Sequence, residues 1–182
     1  MINLKAISIV SFILVHFAGA NQSNLNVNVS FRYPKATKLK IEFYSVKPEF
    51  TFSVARTGVS DSVNKTPADQ KIINKFDFTP SKAESSFVLL VKNDSSQTKY
   101  FFANPHTYKP ESTALSAVFE CLCNHHVYTI PPNTVWFRVV RLDVNFDMVP
   151  KGSKKLEIVH DFVEVSEADA KSKYKHLIYE QL

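Results

Sequence analysis

Leu25-Asn26-Val27-Asn28-Val29-Ser30-Phe31-Arg32-Tyr33 alternates apolar and polar residues up to Arg32. Successive side chains of a strand point to opposite faces, so Leu25, Val27, Val29 and Phe31 share one face and Asn26, Asn28, Ser30 and Arg32 the other. A helix would scatter the same residues around its circumference. The segment predicts a β-strand with one buried face.

The pattern recurs in both directions along the chain. Leu39, Ile41 and Phe43 point inward from a second strand, and Phe50, Phe52 and Val54 mark a third after Lys47-Pro48. Residues 56–70 lack apolar periodicity and hold Gly58, Asp61, Asn64, Thr66 and Pro67, which predicts a loop. Strands are expected over 72–78 and 85–92, through Tyr100-Phe101-Phe102, and over Ala114–Cys121, His126–Ile130, Val135–Val144 and Leu156–Val165. Asn93-Asp94-Ser95-Ser96, Pro131-Pro132-Asn133 and Pro150-Lys151-Gly152-Ser153 supply turns. Nine or ten closely spaced strands without alternating helices predict an all-β sandwich. Ser166-Glu167-Ala168-Asp169 starts a capped C-terminal helix, expected to reach about Tyr179 with Tyr174, Leu177 and Ile178 on one side.

Composition agrees. Of 182 residues, 45% are hydrophobic and 21% charged, enough for one domain with a real core. Fifteen Phe and seven Tyr against three Gly favour sheet, because aromatic side chains cover a pleated, half-buried surface well.

Residues 1–20 read as a signal peptide. Lys5 ends a short charged region, Ala6 to Phe17 is largely apolar, and Ala18-Gly19-Ala20 offers the small residues of a cleavage site. The run is short for a membrane span, so cleavage is the first expectation and an uncleaved membrane anchor the second. The domain division is then 1–20, a β-sandwich over 21–165, and a helical tail over 166–182. Removing residues 1–20 takes one Lys from a net charge of +5, leaving +4. The basic residues are scattered rather than striped, which argues against nucleic acid as a partner. Asn21, Asn28, Asn64 and Asn93 each begin an Asn-x-Ser/Thr glycosylation sequon.

The residues best suited to chemistry are Cys121 and Cys123, followed closely by His125 and His126. Thiolates are soft ligands that suit Cu(I), zinc and iron–sulfur clusters. Zinc and clusters usually require four ligands, and no second cysteine pair exists. Cu(I) accepts two or three soft donors. Positions i and i+2 of a regular strand lie about 6.6–6.8 Å apart, so joint chelation needs a bend near Asn124 or a second molecule. A reversible disulfide is the rival reading, although it would close too small a ring to stabilise the fold, and inert thiols are the third. His125 and His126 point in different directions, so at most one is expected to join the cysteines. His106, His160 and Met148 read as structural. G-x-S-x-G, H-E-x-x-H, P-loop and dinucleotide fingerprints are absent from the sequence, and no enzyme is expected.

From Phe87 to Val165 the chain resembles the copper chaperones that help assemble the copper B centre of cytochrome c oxidase. Cys121-Leu122-Cys123 stands where that family has C-F-C-F, Pro131-Pro132-Asn133 at its P-G-E turn, and Val139-Val140-Arg141-Leu142-Asp143 on its apolar strand ending in I-D. Val91-Lys92-Asn93-Asp94-Ser95-Ser96 resembles its A-x-N-x-S-D turn, and Thr107-Tyr108-Lys109-Pro110 its Y-N-V-x-P segment. Leu156 to Phe162 stands at its closing strand. Three departures are visible: Asn124 replaces an aromatic residue, Phe137-Arg138-Val139 replaces M-P-V, and residues 21–40 hold no cysteine.

The resemblance implies an immunoglobulin-like β-sandwich outside the cytoplasm and a metallochaperone with Cu(I) as cargo. It also implies a copper-bridged homodimer through Cys121 and Cys123 and a copper-accepting membrane protein as partner. The alternative expectation is a secreted immunoglobulin-like interaction module without metal.

Overall fold

Alternation dominates the chain's local structure, and in the computed structural model it folds into two packed β-sheets. Residues 26–50, 57–72, 76–78, 84–103, 107–109, 126–143 and 149–179 are described. Among them the strands are β1 (Asn26–Arg32), β2 (Lys40–Val46), β3 (Thr57–Ser60), β4 (Ala68–Ile72), β5 (Phe76–Phe78) and β6 (Glu84–Asn93). They continue with β7 (Lys99–Ala103), β8 (Thr107–Lys109), β9 (Tyr128–Ile130), β10 (Thr134–Asp143) and β11 (Lys155–Val165), before helix α1 (Glu167–Lys171).

One sheet runs β5-β1-β11-β7-β9, with β8 also on β11, and the other runs β3-β10-β6-β2-β4. The β1–β11 pair is parallel, from Asn26 opposite Lys155 to Arg32 opposite Asp161. The other pairs are antiparallel, including the ten-residue ladder of β6 with β10. This is the all-β, immunoglobulin-like sandwich expected from the sequence, with its short C-terminal helix.

The core lies between the inner faces of the sheets. Phe87, Leu89 and Val91 of β6 and Trp136 and Val140 of β10 meet Phe101, Tyr128, Ile130, Leu156, Ile158 and Phe162. Val88 and Leu90, on the opposite face of β6, are buried as well. Tyr44, Ala68, Val135 and Val139 pack with them, and Val63 covers them from the 3-10 turn Val63–Lys65. Burial on both faces explains why Phe87–Val91 is an unbroken apolar run rather than an alternating one.

Several sequence expectations change in detail. Residues 56–70 hold β3 and part of β4. Both are edge strands, and Asp69, Gln70 and Lys71 face solvent, so little alternation was there to be read. Phe50 closes the 3-10 turn Pro48–Phe50, while Phe52, Val54 and the strand expected over Ala114–Cys121 lie outside the described residues. Asn28 is buried although its place in the alternation suggested solvent.

The C-terminal helix is capped as expected, with Ser166 Oγ accepting from the Asp169 N–H at 3.1 Å, but it ends at Lys171. Beyond it, the Val127 N–H donates to the Leu177 carbonyl and the Tyr179 N–H donates to the Val127 carbonyl, at 2.8 and 2.9 Å. That pairing holds Ile178 extended, which a helix reaching Tyr179 would forbid. Tyr174, Leu177 and Ile178 still join one cluster, against Tyr100, Val127, Val165 and Ala170.

Candidate functional site

Cys121, Cys123 and His125 lie outside the described residues, as do His106 and Met148; His126 lies within them. It is half-buried, with its ring centroid 5.2 Å from that of Tyr179 and 6.3 Å from that of Tyr128. The next residue is Val127, whose backbone is fixed on both sides by the C-terminal segment. The cysteine-bearing sequence therefore feeds into a firmly held point of the fold. His160 has a structural place: it is fully buried on β11 and stacks on Phe31, its direct partner on β1, at 5.4 Å. Among the described residues, no three His, Cys, Asp or Glu side chains are grouped to hold a metal.

Behind His126 is a polar group that the sequence reading passed over. Arg138 sits on β10 between Trp136 and Val140 and shares their inward face. It is only 7% exposed, and its Nη1 donates to the Tyr128 hydroxyl at 2.8 Å. Burial pushes the Tyr128 phenol up from its ordinary range, with the Arg138 charge pulling the other way. The Tyr128 ring packs against Trp136 at 4.8 Å and Tyr179 at 5.6 Å. A sequence signal for Arg138 existed: it is the one charged residue in the inward register of an otherwise apolar strand.

Two further charge groups among the described residues are internally paired. On the outer face of the second sheet, Glu42 accepts from Lys71, from Lys92 at 2.6 Å and from the Tyr44 hydroxyl at 2.9 Å. Burial alone would raise this carboxyl, but its three donors outweigh that and bring it down to about 2. A depressed pKa gives stability that is complete above the unfolded value of about 4.3 and disappears as pH falls toward 2. After allowance for solvent screening, Glu42→Gln is expected to cost about 1–2 kcal/mol at pH 7 and nothing near pH 2. Urea unfolding of both proteins at the two pH values checks this, and a penalty independent of pH would refute it.

A surface cleft of about 430 Å³ is lined by residues including Lys35, Thr37, Lys38, Lys99, Glu164 and Ser166. At its centre Glu164 accepts from the Thr37 hydroxyl at 2.6 Å and pairs with Lys99 at 3.0 Å. Burial works against the charge on Glu164, yet these partners hold its carboxyl below the usual range. The cleft is a satisfied ion-pair network on the first sheet.

Fold and site together define an all-β sandwich in which a polar aromatic cluster lies beside His126. The chain belongs to the family described as a domain of unknown function, DUF8709, whose family model matches residues 25–165. No curated protein and no solved structure matches it. Among the described residues, no helix is long and apolar enough to cross a membrane.

Proposed function

We propose that the chain is an extracytoplasmic Cu(I)-binding metallochaperone serving the assembly of a cytochrome c oxidase copper centre, with Cys121 and Cys123 as its thiolate ligands. The observation that carries this reading is the Cys121-Leu122-Cys123 pair, with His125 and His126 following at once behind an export-type leader. Support comes also from the resemblance over Phe87–Val165 and from the firm seat of His126 beside Val127. A set of Cys121, Cys123 and His126 would have one donor on a fixed point of the sandwich, whereas His125 would compete for the same place. A low-coordinate soft site suits transfer, because an incoming thiolate or imidazole can bind before an old ligand leaves. The acceptor would be a membrane protein with a copper site.

Loading the reduced chain, freed of residues 1–20, with Cu(I) is expected to leave about one copper per chain on desalting. Cys121→Ser with Cys123→Ser should retain none. Equal retention by both proteins would sink the proposal and favour a metal-free secreted interaction module, as would cysteines found oxidised to each other in the exported protein.

Sedimentation with and without Cu(I) addresses self-association. Two thiols on a strand are poorly placed to chelate one ion, so two chains are expected to pool four thiolates around two copper ions as a dimer. A monomer at full loading would instead point to His125 or His126 as the third ligand.

A further inference from the structure

Val127 is held by a later stretch of the chain. Its N–H donates to the Leu177 carbonyl at 2.8 Å and its carbonyl accepts from the Tyr179 N–H at 2.9 Å, so residues 177–179 lie along it as a one-bridge extra strand beside the start of β9. The seat is firm, because Val127 and Tyr128 are each 1% exposed. The root is firm as well, because Ala170 on α1 is fully buried. Beyond that root the chain is held lightly. Every residue from Lys171 to Tyr179 is exposed or half-buried, and Tyr174, Leu177 and Ile178 only edge the cluster of Tyr100, Val127, Val165 and Ala170. Lifting residues 172–179 breaks the Val127 bridge and leaves the ladders of both sheets intact. A segment that buries little apolar surface and has its backbone hydrogen bonds near water opens at a free energy well below that of global unfolding.

Tyr179 gives this arrangement a use. Its ring lies 5.2 Å from that of His126 and 5.6 Å from that of Tyr128, against an imidazole that is itself only half-buried. We infer that residues 172–179 form a strap that lifts from Val127 as a unit and thereby controls access to the His126 imidazole. When the strap is seated, Tyr179 occupies space that a ligand approaching that side of the ring requires. When it lifts, the imidazole is uncovered while its backbone stays anchored next to buried Val127. The consequence for copper rests on the Cu(I) reading proposed above: a seated strap slows exchange of an ion held by Cys121, Cys123 and His126, and a lifted one admits the incoming ligand of the acceptor. The strap itself does not depend on that reading, since residues 126–128 and 172–179 define it alone.

Amide exchange on the unmutated chain tests the opening. The Val127 and Tyr179 amides should exchange together, about a hundredfold or more faster than those of Val91 and Ile158 in the sheet ladders. Diethylpyrocarbonate, which acylates accessible imidazole nitrogens, tests the cover. Tyr179→Ala removes the ring, and Tyr179→Pro removes both the ring and the N–H that meets the Val127 carbonyl. In both variants His126 should be acylated about fivefold or more faster than in wild type, as read by peptide mass spectrometry. Exposed His176 should react equally in all three proteins, and fully buried His160 should stay unmodified, which separates strap opening from global unfolding. Loaded with copper, the two variants should also release Cu(I) to bathocuproine disulfonate faster than wild type. A wild type that retains no copper would sink the copper reading, while amide exchange and acylation would still decide on the strap. Val127 exchanging as slowly as Val91, or His126 acylated equally fast in all three proteins, would overturn the strap and leave residues 172–179 as a fixed edge cover. Equal release by copper-loaded wild type and variants would overturn its control of copper.

Discussion

Replacing Phe101 by Ala is expected to lower the stability of the fold by about 3–5 kcal/mol. Phe101 is fully buried on β7 and its ring is shared by both sheets. It stacks on Phe162 of β11 at 4.8 Å, meets Trp136 of β10 edge-on at 5.0 Å, and lies 5.4 Å from Tyr128 of β9. Truncation removes the apolar area of the ring, leaves a cavity between rigid strands, and deletes three ring contacts worth up to about 1 kcal/mol each. Against a typical total of 5–15 kcal/mol, that loss brings the chain close to unfolding at room temperature. Urea denaturation followed by Trp136 fluorescence measures it: the midpoint should fall sharply with an unchanged slope. A cost below about 1 kcal/mol would mean that the sheets close over the gap, contrary to the close packing argued here.

How much of this was legible in the sequence depended on burial asymmetry. β11 buries one face over Leu156, Ile158 and Phe162, which announced the inward register correctly, as did Leu39, Ile41 and Phe43 before and on β2, although Tyr44 takes the opposite face of β2 into a second cluster. β6 was legible as a strand but not as one buried on both faces, because an apolar run does not reveal what covers its second side. Edge strands β3, β4 and β8 were missed or only partly read, since each is three to five residues long, too short to show an alternation, and their pairing is made by backbone groups. The helix end was misread for a related reason. Tyr174, Leu177 and Ile178 have helical spacing, but the backbone of Ile178 is claimed by Val127, far away in sequence.

The site divides in the same manner. The thiols and imidazoles of residues 121–126 declare their chemistry by residue type alone, and the copper reading rests on that chemistry. Arg138 declares nothing by type. Its meaning comes from register, which turns it inward beside Trp136, and from the nearby Tyr128 hydroxyl, ten residues earlier on another sheet. Compared with the chaperone pattern, Phe137-Arg138-Val139 reads as a departure from M-P-V. In the fold, that departure is where a buried charge meets an aromatic cluster.

Asn93→Ala is expected to cost about 2–4 kcal/mol, a large effect for a turn residue. Asn93 is 2% exposed at the end of β6, and its amide holds two turns together. Its Nδ2 donates to the carbonyls of Gln97, Pro131 and Ile130 at 2.8, 3.0 and 3.1 Å. Its Oδ1 accepts from the Ser95 hydroxyl at 2.7 Å and the Ser95 N–H at 3.1 Å. The Asn133 N–H, on a residue with φ of 54°, donates to the Ser95 carbonyl and completes the link. Alanine leaves these groups short of partners, several of them away from water.

Asn93→Asp is the sharper test, because it keeps the shape and the acceptor but replaces the donor with a charge facing three carbonyl oxygens. That carboxylate should titrate well above the usual range. With a raised folded pKa, Asn93→Asp should be at least as unstable as Asn93→Ala at pH 7 and regain stability as pH falls toward 5. Equal stability of Asn93→Asp and wild type at pH 7 would refute the role given to the amide. The same geometry bears on the sequon at Asn93: a glycan on Nδ2 would displace this network, and Asn28 is buried too, whereas Asn64 is exposed. Mass spectrometry of the chain secreted from a glycosylating host should find sugar on folded protein at Asn64 and none at Asn93.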